Sequence, residues 1–174
     1  KRFQYERFIL SQLLVMALKG VPAFYLPALL ASENDIKSFS MTGQRRDLNR
    51  EKFKSENLLA VLNNPESNAN KNLKYLRNAM DVRSKLKQFH PCSQMKCLSK
   101  GRSDIVVIKR GKGPESVFAI HNMTENKINY QLNDNDLPKI IDNDFNTHDF
   151  LTSTKYNCKN ISLDPFQVIW LSAL

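Results

Sequence analysis

From Phe8 to Leu18 every position is apolar except Ser11 and Gln12. Placed on a helix, Phe8, Leu10, Leu13, Leu14, Met16 and Ala17 wrap most of the surface, so the pattern predicts a buried helix over residues 3–19. Gly20 is the stop residue expected just past a helix end. The next run, "VPAFYL" at 21–26, is β-branched and aromatic without alternation, which fits a short strand buried on both faces as in a parallel sheet. Pro22 is tolerable because the first residues of a strand can lack a ladder donor. Helix, glycine and buried strand make one α-to-β step of an α/β fold. A helix apolar nearly all round needs partners on several sides, and little sequence precedes it. The chain therefore reads as a piece of something larger, with residues 1–30 expected to be mobile or aggregation-prone alone.

Between Pro27 and about residue 68 the pattern predicts no long element. It predicts one short helix, residues 55–63, with Ser55 as its cap. So long an irregular stretch in a compact domain is usually functional or disordered. A helix follows over about residues 68–88, with Leu73, Leu76, Met80, Val82, Leu86 and Phe89 as its apolar stripe. After His90-Pro91 the period changes. "DIVVIKR" (104–110), "ESVFAIHN" (115–122), "KINYQL" (127–132), "KNISL" (159–163) and "FQVIWLSA" (166–173) are strand-like, without intervening helices. That succession indicates a small antiparallel sheet or sandwich, so the expected division is 1–89 and 90–174.

Composition narrows the functional classes. With 41% hydrophobic and 25% charged residues the chain is globular in character. Its 26 Lys+Arg against 17 Asp+Glu give +9, a balance compatible with nucleic acid, an anionic membrane surface or phosphorylated substrates. The basic residues are scattered, and no nucleic-acid motif occurs, so neither nucleic acid nor membrane is expected as a partner. The run at 8–18 is far short of the roughly 20 residues a bilayer span needs. Cys92, Cys97 and Cys158 fit neither a disulfide framework nor a zinc site, and read as reduced thiols in a cytosolic protein. The sequons at Asn122 and Asn160 are short enough to arise by chance. His90, His121 and His148 stand apart from any nucleophile arrangement. The acidic stretch from Asp134 to Asp149 lacks the ligand periodicity of a calcium loop. No metal or cofactor is expected.

The chemistry worth following lies in "SENDIKSFSMTGQRRDLNREKF", residues 32–53. If residues 1–88 end a barrel, a loop leaving the strand at 21–26 lies on the catalytic face. Arginines there make paired contacts to phosphate or carboxylate oxygens, and Asn and Asp satisfy sugar hydroxyls. Two plainer readings stand beside this one. The charge run is a solvated face, or Asp35 and Asp47 merely orient neighbouring arginines.

Residues 19–53 resemble the late-barrel segment of sucrose phosphorylases and related glycoside phosphorylases of glycoside hydrolase family 13, in the α-amylase superfamily. The resemblance rests on the strand motif Gly20–Tyr25, the pair Asn34-Asp35, and Gly43 to Arg50 with its Arg46-Asp47-Leu48-Asn49-Arg50 run. The ending "ISLDPFQVIWL", 161–171, resembles the final strand of that family's C-terminal β-domain. The resemblance implies that 3–19, 21–26 and 68–88 are helix seven, strand eight and helix eight of a (β/α)8 barrel, with 90–174 as the β-domain. It implies retaining transfer of a glucosyl group from an α-glucoside to inorganic phosphate, giving α-glucose 1-phosphate. It further implies substrate-shaping roles for Asn34, Asp35, Arg46, Asp47, Asn49 and Arg50. The family's nucleophile, acid/base and transition-state-stabilising carboxyl groups have no counterpart here. The remainder of the barrel upstream would be needed, and the chain alone should be inactive. The alternative is a non-catalytic carbohydrate- or partner-binding piece, which would present an exposed aromatic row from Tyr130, Phe145, Phe150 and Tyr156.

Overall fold

The structure is a computed structural model and describes residues 2–49, 52–99, 101–133, 135, 137 and 146–172. The chain forms two compact units, Lys1–Pro22 with Ala79–Leu174, and Ala23–Asn78.

In the first unit, α1 (Gln4–Ala17) buries Ile9, Leu10, Leu13, Met16 and Ala17, a single stripe at helical spacing. Val15 and Leu18 are left partly exposed. The strands are β1 (Met95–Cys97), β2 (Ile105–Arg110), β3 (Val117–Asn122), β4 (Ile128–Tyr130), β5 (Asn146–His148), β6 (Lys155–Asn157), β7 (Ile161–Leu163) and β8 (Val168–Ser172). They form an antiparallel sheet β1-β2-β3-β8 and the two pairs β4-β7 and β5-β6. The register aligns Val107, Ile120 and Ile169 on one face and Ile108, Ala119 and Trp170 on the other. The first face packs into one core with Leu132, Cys158, Ile161 and Leu163. The second is met by α1 and by Phe89, whose ring lies 4.7 Å from that of Trp170. Covered on both sides, β3 is buried at all six positions, which is unusual for an antiparallel strand.

The buried stripe of α1 is met from within the chain by β3. The C-terminal end of α1 is held by two arginines. Arg83 donates through Nε to Met16 O (2.9 Å) and through Nη2 to Gly20 O (2.9 Å). Arg110 donates through Nη1 to Ala17 O (3.0 Å) and Leu18 O (2.6 Å), and through Nη2 to His90 O (3.0 Å). The carbonyls that a helix end leaves without intrahelical donors are thus satisfied by cations, the sign its dipole favours there. Burial pulls both guanidinium pKa values down from their ordinary value, and at Arg110 the neighbouring Arg83 charge adds to it.

The second unit contains α2 (Leu26–Leu29), α3 (Ile36–Thr42), a 3-10 turn at Arg45–Asn49, α4 (Ser55–Asn63) and the first part of α5 (Asn68–Lys85). On α5, Ala69, Asn72 and Leu76 are buried at spacings of three and four. Asn72 is fully buried because its Nδ2 donates to Ala28 O (3.0 Å) and Leu29 O (2.8 Å), satisfying the end of α2.

Two local expectations are corrected. Residues 21–25 join no strand, Leu26 opens α2, and Val21 is 79% exposed. A parallel strand buried on both faces takes its ladder bonds and covering layers from other βα units, and no described segment of this chain supplies them. Ser55 is the first residue of α4 rather than its cap. Lys54 takes the cap position with extended backbone (φ −79°, ψ 134°) and no side-chain cap bond.

Candidate functional site

The stretch expected to be a long loop is folded into short elements that bring separated residues together. Asp35 caps α3. Its carboxylate accepts from Ser38 N (2.9 Å) and Ser38 Oγ (2.6 Å). These bonds, the Ser38 hydroxyl first and its N–H next, hold the Asp35 carboxyl below the usual carboxylate range, helped by Lys37 and Lys52. At the other end of α3, Gly43 ends the helix in the left-handed region (φ 66°) and donates its N–H to Phe39 O (2.8 Å). The chain then reverses through the 3-10 turn, and Asp35 N–H donates to Leu48 O at 2.7 Å.

That bond places the Asn34-Asp35 pair beside the Arg46–Asn49 run, joining two motifs more than ten residues apart in sequence. Inside the closed loop, Thr42 Oγ1 donates to Asp47 Oδ2 (2.6 Å) and Asp47 N–H donates to Gln44 O (2.9 Å). Asp35 and Asp47, both half-buried, are engaged with hydroxyl and amide donors rather than with arginines. Asn34, Arg45, Arg46 and Asn49 are exposed, and no ion pair holds Arg45 or Arg46 among the described residues. Arg50 lies outside the described residues. The carboxylates shape the loop, and the guanidinium groups face outward.

The remaining sequence candidates take structural positions. His121 is fully buried. Its Nδ1 lies 3.2 Å from Val106 O, and burial drives its pKa down to about 4. His148 packs edge-on against Phe150 at 5.0 Å. Tyr130 and Tyr156 pack against the β-domain core and Phe150 is half-buried, so these three form no exposed aromatic row. Phe145 lies outside the described residues, as does most of the acidic stretch before it. Asp149 turns inward, where its Oδ1 accepts from Trp170 N (2.7 Å) and Leu151 N (3.2 Å), and its Oδ2 from Thr152 Oγ1 (2.7 Å). Asn122 is fully buried and organises the turn after β3, with Nδ2 donating to Asn126 O and Asp164 O. Among the described residues, no group of three His, Cys, Asp or Glu side chains is placed to hold a metal ion. No described helix is long and apolar enough to cross a membrane. Cys92 and Cys97 are exposed free thiols, and the Cys158 thiol is buried and pushed up to about 11.

No family model matches the chain. The fold is shared with the Bacillus licheniformis trehalose-6-phosphate hydrolase (TM-score 0.67, 16% identity, 98% of this chain and 39% of that one). It is shared also with an Anoxybacillus α-amylase (TM-score 0.66, 16% identity, 96% and 32%). The fold of this chain is thus that of a portion of each of these two proteins. In sequence the chain is 32% identical over 119 residues to a glucosylglycerate phosphorylase of Allomeiothermus silvanus, covering 68% of this chain and 21% of that protein. A glucosylglycerate phosphorylase of Escherichia coli matches at 22% over 165 residues, covering 95% and 28%. In sequence the chain is thus related to a portion of the glucosylglycerate phosphorylases, and it resembles the sucrose phosphorylase-like members of glycoside hydrolase family 13. It spans 21% and 28% of the length of these two curated relatives.

Proposed function

We propose that residues 1–89 supply the last part of a (β/α)8 barrel, in which 21–26 pair as a strand only beside the strands of the upstream barrel, and residues 90–174 the β-domain, of a retaining glucosyl-transferring phosphorylase. The enzyme cleaves an α-glucoside, such as glucosylglycerate or sucrose, with inorganic phosphate and releases α-glucose 1-phosphate. The observation that carries this reading is the 32% identity over 119 residues to a protein named for glucosylglycerate phosphorolysis. The loop geometry supports it. The exposed Arg46, with Arg50 beside it in sequence, presents positive charge to phosphate or to the acid group of the acceptor. Asn34 and Asn49 offer paired donors and acceptors to sugar hydroxyls. Asp35 and Asp47 act one step back, holding the loop that carries these groups.

Retaining transfer needs two carboxyl groups about 5 Å apart, one a nucleophile and the other an acid/base. No residue of this chain matches the family's motifs for them, so they come from the remainder of the barrel, and the chain alone does not turn over. Three cysteines without a disulfide support a reducing, cytosolic setting.

The test is kinetic, on the protein joined to its upstream barrel. Arg46→Gln and Arg50→Gln should each raise the KM for phosphate or for the acidic acceptor about tenfold or more, with a smaller change in kcat. Unchanged KM for both substrates in both variants would remove the loop from the site.

A further inference from the structure

The 3-10 turn that carries Arg46 and Asn49 has three distinct sides. Such a helix makes three residues per turn, so side chains three apart stand one above the other. Over Arg45–Asn49 this puts Arg46 on one side with Asn49, Arg45 on a second with Leu48, and Asp47 alone on the third. Asp47 and Leu48 are half-buried, whereas Arg45, Arg46 and Asn49 are exposed. Rotating the turn about its axis would re-aim Arg46 and Asn49 together.

One side chain holds that rotation. Thr42 is the last residue of α3, and its Oγ1 donates to Asp47 Oδ2 at 2.6 Å. The hydroxyl carries a single hydrogen. The Asp47 carboxylate is nearer and a stronger acceptor than Ser38 O, which lies 3.0 Å away within the helix. A lone pair of the same hydroxyl accepts Gln44 N–H (3.2 Å), from the residue just before the turn. Backbone bonds from Asp47 N–H to Gln44 O (2.9 Å) and from Asp35 N–H to Leu48 O (2.7 Å) close the loop. The Thr42 bond adds a grip on one side of it, and that grip sets which way the opposite sides face.

We propose that Thr42 is a positioning residue for this turn. Its hydroxyl pins Asp47 to the end of α3 and so aims Arg46 at the phosphate or the acid group of the acceptor, with Asn49 beside it. The inference rests on the phosphorylase reading of the loop and adds to it the residue that sets the direction of the loop. Thr42 is itself exposed, so removing its hydroxyl opens this clamp without emptying any part of the core.

The test is a kinetic cycle on the protein joined to its upstream barrel, with Arg46→Gln as the reference. Thr42→Val keeps the branched shape and removes the hydroxyl. It should raise the same KM that Arg46→Gln raises, by about fivefold or more, with a smaller change in kcat. Thr42→Ser keeps the hydroxyl and should leave that KM within about twofold of the unaltered protein. Placed on top of Arg46→Gln, Thr42→Val should add less than about twofold, because the guanidinium it aims is gone. Effects that multiply in full would overturn the proposal, as would Thr42→Ser behaving like Thr42→Val. So would an unchanged KM in Thr42→Val where Arg46→Gln raises it, an outcome that leaves the phosphorylase reading standing. An unchanged KM for both substrates in Arg46→Gln as well would overturn the place of the loop in the site, and this proposal with it.

Discussion

Arg110 shows how one position ties sequence pattern to packing. It ends β2 on the same face as Val106 and Ile108, so the two-residue period of the strand sends its side chain inward with theirs. Nothing in "IVVIKR" names the partners of Arg110, because two of the three carbonyls it satisfies lie about ninety residues earlier. Arg110→Ala leaves the Ala17, Leu18 and His90 carbonyls without their donors and should cost about 3 kcal/mol or more in urea unfolding. His121 gives a pH test. Its folded pKa, about 4, lies below the ordinary 6.5, so between those values the unfolded chain takes up a proton that the native state refuses. Stability should therefore fall as pH drops from about 6.5 towards 4, by up to about 3 kcal/mol. His121→Leu should remove that part of the pH dependence, and an unchanged slope in the variant would contradict the assignment. Asp149 works in the opposite sense. Burial raises its carboxyl pKa, so the contribution of this group to stability declines as pH rises above its unfolded value.

Helices α1, α4 and α5 and the strands β2, β3, β4, β7 and β8 were legible because each carries an apolar run or stripe at its own period. By contrast, β1, β5 and β6 were not. Each has three residues and none is buried at more than one position, so there is no alternation to read. The short α3 was missed for a related reason, since none of its seven residues is buried. What defines it are its ends, Asp35 and Gly43. The site residues themselves could be named from the motif, but their adjacency could not, because it depends on the single bond from Asp35 N–H to Leu48 O. The end of α3 supplies a direct check. A Cβ at Gly43 would meet nothing within 4 Å, so Gly43→Ala carries only the cost of a left-handed backbone. That cost should be about 1 kcal/mol, with faster amide exchange at Asp35 and Phe39 as the turn loosens.

For the molecule as a whole, the informative surface is the apolar one left open. Val21, Tyr25, Leu26, Ile36 and Met41 are all more than half exposed. Exposed apolar surface on this run is what a barrel completed by the upstream units would cover. The isolated chain should accordingly bind an apolar fluorescent dye more strongly, per mole, than the chain joined to its upstream barrel. Most decisive is phosphorolysis of glucosylglycerate and of sucrose, followed as α-glucose 1-phosphate release, from the chain alone and from the chain joined to the upstream barrel. Release only from the joined protein is the predicted result. Release from the 174 residues alone would contradict the claim that the catalytic carboxylates lie elsewhere, and no release from either would contradict the phosphorylase assignment.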